Sequence, residues 1–577
     1  MNAEHSSNTI SRLSQTSNYV YCRHKSTNNK LSDKNIIHQS WTIAIATLIS
    51  RITGFLRILL LTTVLGGHIA SAFSIANQLP SMITALVFES TLSAVFTPLL
   101  VHAELNDADG GIAFIRRMFT LVVTLLMLTT LISIILTPLL VKIMLSNQSQ
   151  VNFALTKFFA YLLLPQILFY GLSSTFMTIL NTKNIFVSPA WAPVINNLLF
   201  IIVLVIFITI PNSLIKNSIK LDLVKLLILG IGTTLSVAAQ CCVLFISIRN
   251  LYINLKFLWE LDNRLKKLGN TFIAVIFYVL VNQLGLIVSN RIASNATASG
   301  PVIYNYTWLI LMLPFGIFGV TVLTVIMPRL SRNAISNNIS ALTNDYLLAI
   351  RLTLLTMLPV VTLATVSGPL LGSTLFAYGN FSLVEARYLG IAITMSAFSL
   401  IPYAFTILQL RIFYARNCPW EPILVGSIIT FIKVTGSLLI PYITCDPILS
   451  IAYLGVFNGI GFIAGALMGY IILNLSFQLR LNSNLQSKIT LMIIATTIVL
   501  LTAAAAARVM DQLLGLYPLV YINETINFLI HFFVVSLLIF IITFSAMFLM
   551  KVPEVVISIT FIRNKSKRLY HLLYINK

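Results

Sequence analysis

The chain has 577 residues, of which 58% are hydrophobic and only 9% charged, so little of it can be meant for water. Its formal charge of +21 is spread over many short segments, which argues against a nucleic-acid site and for a basic belt against anionic membrane lipid. No polar stretch reaches ordinary domain size, and no GxxxxGK[ST], HExxH or GxSxG pattern occurs, which excludes a soluble catalytic domain and ATP hydrolysis within the chain.

Residues 1–40 are polar and rich in Ser, Asn and His, with no apolar core of the length a secretory signal needs. They read as a disordered cytoplasmic tail; an organelle transit peptide is the alternative, since acids are few. From residue 41, apolar runs of about 20 residues recur, each long enough to cross a hydrocarbon core as a helix. The first six spans are expected at 41–64, 72–101, 118–145, 153–180, 187–210 and 224–248, forming an N-lobe over 41–248. A basic cytoplasmic linker, 249–270, leads to spans at 271–293, 303–327, 346–374, 387–413, 421–443 and 449–475, a C-lobe over 271–475. Spans at 488–507 and 526–550 and a basic cytoplasmic tail, 551–577, complete the chain. The fold class is an all-α polytopic membrane protein with about fourteen transmembrane helices.

Lys and Arg concentrate in alternate connections, among them Arg116, Arg117, Lys183, Arg249, Arg264, Lys266, Lys267, Arg329 and Arg332, whereas the opposite connections carry little beyond Lys216, Lys220 and Arg508. Short basic loops stay in the cytoplasm, so both termini are expected there. Pro80, Pro165, Pro193, Pro314 and Gly316 interrupt apolar runs, as in helices bent around a cavity. Gly54, Pro80, Pro314 and Gly316 are the hinge candidates. Cys22, Cys241, Cys242, Cys418 and Cys445 form no ligand spacing, so neither a metal, a disulfide framework nor a cofactor is expected.

Two arginines, Arg51 and Arg57, lie inside the first apolar run and an acid, Glu89, in the second. A charge at membrane depth costs at least a few kcal/mol and persists where it faces a wet cavity, a partner or a substrate. Six residues apart, the arginines stand about 120° apart around a helix and can line one wide cavity. Gly54 between them lets a head group approach the backbone, and guanidinium groups are forked donors suited to phosphate. The competing reading is snorkelling by one arginine and a structural ion pair of the other with Glu89. Lys157, Lys433 and Asp446 read as interfacial or packing residues.

The block Ser50-Arg51-Ile52-Thr53-Gly54-Phe55-Leu56-Arg57, then Gly66-Gly67, Gln78-Leu79-Pro80, Glu89 and Phe96-Thr97-Pro98, resembles the opening helices of the MviN/MurJ lipid II flippases. Pro189 to Asn197, Leu313-Pro314-Phe315-Gly316, Met327-Pro328-Arg329-Leu330-Ser331, Ser367-Gly368-Pro369 and Tyr378-Gly379 follow in the order found in that family, and Tyr304 to Leu309 resembles its actinobacterial branch. The resemblance covers about 41–475. It implies the architecture of the multidrug/oligosaccharidyl-lipid/polysaccharide exporter superfamily, with two pseudosymmetric six-helix lobes, and two C-terminal helices over 488–550 forming a lipid-tail groove. It implies a plasma-membrane transporter, not an enzyme, that moves an undecaprenyl-diphosphate-linked disaccharide-pentapeptide outward by alternating access for peptidoglycan synthesis. Arg51, Arg57 and Glu89 fall on positions functional in relatives.

Many relatives carry further charges where this chain has Ser71, Thr84, Trp308 and Leu309. Arg291, near the end of the seventh span, is the candidate for a replacement charge from the facing lobe, with an interfacial anchor at the outer membrane surface as the reading weighed ahead of it. Lipid II and anionic lipids are the expected partners, with cell-wall synthesis and division proteins beside them. The alternatives are a flippase for another polyprenyl-linked saccharide and a non-transporting scaffold for cell-wall enzymes.

Overall fold

A computed structural model describes residues 4–89, 96–107, 109–210, 219–251, 255–260, 269–336, 338–416, 418, 420–477, 502, 505 and 524–549. Every regular element among them is helical. The first, α1 (Glu4–Thr84), begins where the composition predicts a tail without structure. No Gly or Pro occurs before Gly54, so nothing in the backbone chemistry stops a helix from extending outward from the first span.

Within α1, Thr42–Val87 is apolar enough to cross a membrane, yet it cannot be one straight rod. Gly66 breaks the helix with φ 69° and ψ 170°. The Phe200 ring lies 4.0 Å from the Arg57 guanidinium and 6.1 Å from the Phe73 ring. Residues 57 and 73 would be about 24 Å apart along a straight helix. The chain therefore folds back at Gly66 into two arms, which stand where the first two spans are expected. A positive φ suits glycine, and an added Cβ would come within 2.7 Å of the Asn380 carbonyl oxygen.

The second arm ends in a π-helical turn, Ala85–Glu89, beyond Pro80. After it come α2 (Thr97–Asn106), α3 (Ile112–Ile135), α4 (Thr137–Met144), α5 (Phe153–Leu163), α6 (Gln166–Thr182), α7 (Val187–Thr209) and α8 (Ile219–Arg249). Helices α5 and α6 meet at a 44° bend beside Pro165 and pass as one broken span. The remaining helices are α9 (Gly269–Ala296), α10 (Gly300–Pro314), α11 (Val320–Ile335), α12 (Ile339–Phe376), α13 (Leu383–Ser396), α14 (Leu400–Ala415), α15 (Glu421–Ile443), α16 (Pro447–Phe477) and α17 (Glu524–Leu549). A second π-helical turn, Phe315–Gly319, joins α10 to α11 directly after Pro314, where the ring has removed a backbone donor.

Ten helices among the described residues are long and apolar enough to span a membrane, or eleven with the bent pair. Fourteen is not reached. The folded-back stretch of α1 enters this tally once, and the expected span at 488–507 lies almost wholly outside the described residues, as do most of the linker beyond residue 260 and the tail 551–577. The last expected span overlaps α17, which packs on α12 through Val535 and Ile539 against Leu363 and Val366.

Helices α1–α8 pack chiefly on one another, and so do α9–α16. Small residues allow the close approaches, as at Gly436, where a Cβ would meet the Phe457 ring at 2.2 Å. The two groups, the first and second lobes, touch through α1 against α10 and α12, and through α9 against α4 and the first π turn. At the Gly66 end this boundary is polar. Asn380 donates from its backbone to the Thr63 carbonyl at 2.8 Å and from Nδ2 to the Val64 carbonyl at 2.6 Å. Gln150 N–H donates to Ser294 O at 2.7 Å, and the Ser146 hydroxyl bonds Asn295 Oδ1.

Candidate functional site

Between the lobes lies a cavity of about 710 Å³, within the range of pockets that enclose a ligand head group. One helix face explains its first wall. Ile45, Leu48, Ile52 and Leu56 form an exposed apolar stripe on α1, while Arg51, Gly54, Ile58 and Leu61, at the same three- or four-residue spacing, turn inward. Asn77, Gln78 and Ser81 on the second arm, with Tyr170 and Asn197, continue that wall. Asn197 Nδ2 donates to the Ser50 carbonyl at 3.1 Å and to Thr53 Oγ1 at 3.3 Å, which ties α7 to the arginine-bearing turn.

Arg51 lies against the second π turn. A Cβ placed on Gly316 would stand 1.7 Å from Arg51 Nη1, so only glycine leaves space for the guanidinium. Gly316 thus serves as a slot as well as a hinge candidate. Arg57, nearer the Gly66 end of the same arm, rests 4.0 Å over Phe200, a cation–π contact worth about 2 kcal/mol where water is excluded. Gly54 stays in regular helix.

The second lobe supplies a different wall. Tyr304, Asn305, Trp308, Leu309 and Phe462 face the cavity, with Asn458 and Lys433. Trp308 stacks on Phe462 with centroids 5.5 Å apart, and Tyr403 meets both rings edge-on. The Lys433 ammonium stands 5.9 Å from the Tyr304 ring centre. Polar amides cross between the lobes: Asn290 Nδ2 donates to Gln78 Oε1 at 2.7 Å, Gln78 Nε2 donates to Asn305 Oδ1 at 3.3 Å, and Asn305 Nδ2 donates to Asn290 Oδ1 at 3.2 Å. Asn77 Oδ1 is buried with no hydrogen-bond partner among the described residues.

Among the described residues the lining therefore holds Arg51, Arg57 and Lys433 and no carboxylate. Three cations at bilayer depth, each costing about 2.5–3.5 kcal/mol to insert, make sense facing an anion.

Arg291 does not join them. Its neighbour Asn290 points into the amide relay, and Arg291, a further 100° around α9, is exposed. The second-lobe cation among the described lining residues is Lys433, which reads in the sequence as an interfacial or packing residue; its signal was depth, since it sits near the middle of its span. Glu89 closes the first π turn, and its side chain lies outside the described residues. Of the positions where relatives carry charges, Ser71 accepts the Val302 N–H at 3.3 Å across the lobe boundary, Thr84 bonds the Pro80 carbonyl at 2.8 Å, and Trp308 and Leu309 line the cavity.

A family model described as lipid II flippase MurJ matches residues 61–523, most of the chain and most of both lobes. The chain belongs to the MurJ family. A probable lipid II flippase MurJ of Rhizobium meliloti (strain 1021) is 24% identical over 410 residues, 70% of this chain and 75% of that protein. Its counterpart in Buchnera aphidicola subsp. Baizongia pistaciae is 26% identical over 397 residues, 66% of this chain and 74% of that protein. A solved lipid II flippase MurJ in an inward closed conformation superposes with a TM-score of 0.68 at 18% identity, covering 88% of this chain and 98% of that one. A multidrug-resistance MATE transporter of the MOP superfamily, in an inward-facing conformation, gives 0.61 at 16% identity over 75% and 94%. The MurJ fold is thus the two-lobed exporter fold expected from the sequence, and this MurJ-family chain is a multi-span membrane protein.

Proposed function

We propose that this chain flips lipid II across the bacterial cytoplasmic membrane, with both termini in the cytoplasm, and that it does so as a transporter without catalysing a reaction. The observation that carries the reading is the cavity between lobes, with Arg51 and Arg57 on one wall and no acid among the described residues of its lining. Membership of the lipid II flippase family supplies the substrate.

The chemistry follows from the geometry. Planar guanidinium forks on α1 hold the diphosphate, the part common to every lipid-linked head group of this class. The amide-rich and aromatic walls receive the saccharide and peptide, while the polyprenyl tail stays in lipid. With the N-terminus inside, the Gly66 end is outward, and the hydrogen bonds of Asn380, Gln150 and Ser146 form the outer seal. Opening that seal while the opposite end closes exposes the head group outside. The substrate anion moves down an inside-negative potential, and one elementary charge across 100 mV is worth about 2.3 kcal/mol.

The test is lipid II exposure at the outer face of cells depleted of their own flippase. The chain is expected to restore exposure, and Arg51→Ala and Arg57→Ala at matched abundance to abolish it. Correct insertion without restoration would overturn the reading in favour of another polyprenyl-linked saccharide.

A further inference from the structure

Lys433 is the cavity residue that the flippase reading does not yet use. On α15 it stands about 18 Å along the helix from Glu421 and about 15 Å from Ile443 at 1.5 Å per residue, far from either membrane surface. Its stem crosses α9 at Gly285, where an added Cβ would lie 3.4 Å from Lys433 Cδ and 3.2 Å from Thr430 Cγ2. The close passage steers the ammonium toward Tyr304 and the cavity. Ion pairs among the described residues include those of Arg117 with Glu260, Lys183 with Glu104 and Arg329 with Asp345. None of these acids borders the cavity, and among the described lining residues Lys433 shares its space with the arginines and with no carboxylate.

Resting on the lipid II reading, we infer that Lys433 is a diphosphate ligand contributed by the second lobe, so that the bound anion bridges α15 to the arginine wall of α1. A diphosphate carries two phosphoryl groups on one bridging oxygen. Forked guanidinium groups suit one of them, and a compact ammonium on a flexible stem suits the other as a point charge. The empty cavity places like charges on opposite sides of a lobe boundary, where low dielectric strengthens their repulsion. An anion between them turns that repulsion into attraction and couples binding to lobe movement. A structural lysine, held only by its contact with Tyr304, would do neither.

The experiment uses the full-length protein in lipid nanodiscs and two ligands, undecaprenyl diphosphate and complete lipid II. Affinities are compared for wild type, Lys433→Met, which keeps the apolar stem, and Lys433→Arg. Lobe separation is read between spin labels at Phe186→Cys and Ile335→Cys, exposed positions at one end of opposite lobes, in a background lacking native cysteines. Lys433→Met is expected to weaken both ligands by the same factor of about ten or more, the loss of one charge-assisted contact. It is also expected to cancel the ligand-driven distance change at unchanged Tm, and Lys433→Arg to retain both. Unaltered affinity in Lys433→Met overturns the inference. So does a loss confined to complete lipid II, which would assign the lysine to a carboxylate of the peptide. Wild-type protein that binds undecaprenyl diphosphate through Lys433 but does not transport lipid II would sink the substrate reading and leave the ligand assignment standing.

Discussion

At the scale of single residues, Arg51 depends on an absence. Gly316 contributes no side chain, and the guanidinium occupies the space. Gly316→Val is expected to expel Arg51 from its position and to reduce lipid II exposure to the level of Arg51→Ala. A large loss of Tm in place of a transport defect would mean that the glycine serves the π turn rather than the arginine. The contrast between Asn290 and Arg291 is equally local. One residue of helical phase puts the amide in the relay and the charge outside. Arg291→Ala is accordingly expected to leave transport within about twofold, whereas Asn290→Leu strands the polar atoms of Gln78 and Asn305 and costs about 1–3 kcal/mol of stability, measurable as a lower Tm.

At the scale of elements, the reversal inside α1 is set by one dihedral. Gly66→Ala forces a side chain into positive φ, worth about 1–2 kcal/mol, and drives its Cβ against the Asn380 carbonyl oxygen. The expected outcome is a lower Tm together with a weakened seal at the Gly66 end, since Asn380 also bonds Thr63 and Val64. An unchanged Tm would show that the chain reverses without help from glycine. The glycine pair Gly66-Gly67 was visible in the sequence between two apolar runs, and so was Pro314 ahead of the second π turn. Gly54 looked equally suited to bending, yet the helix continues through it unbroken, because a lone glycine in a membrane helix permits a break without requiring one.

At the scale of the whole molecule, the proposed transport has the lobe contacts exchange between ends. A Ser146→Cys and Asn295→Cys pair, introduced where the two side chains already touch across the boundary, is expected to form a disulfide that holds the Gly66 end shut. Transport should stop on oxidation and return on reduction; transport that persists in the cross-linked protein would mean that this end does not open. Because the described lining of the cavity holds cations and no acid, the empty carrier is expected to resist crossing an inside-negative membrane toward outward-facing states, so collapsing the potential is expected to slow turnover more than it weakens binding.

What the sequence alone determined follows from the bilayer as solvent. A chain that must satisfy its backbone in hydrocarbon has to be helical, its apolar runs must match the membrane thickness, and charges at depth must face something other than lipid. Hence the helical class, most of the spans and the turning of Arg51 and Arg57 toward a cavity were legible, and the ordered blocks from Ser50 to Gly379 led to the family. Only the tertiary structure decided which side of each helix meets the other lobe. That choice separated Asn290 from Arg291 and placed Lys433 opposite the arginines, because helices 15 and 1, hundreds of residues apart in the chain, share a cavity only once both lobes have packed.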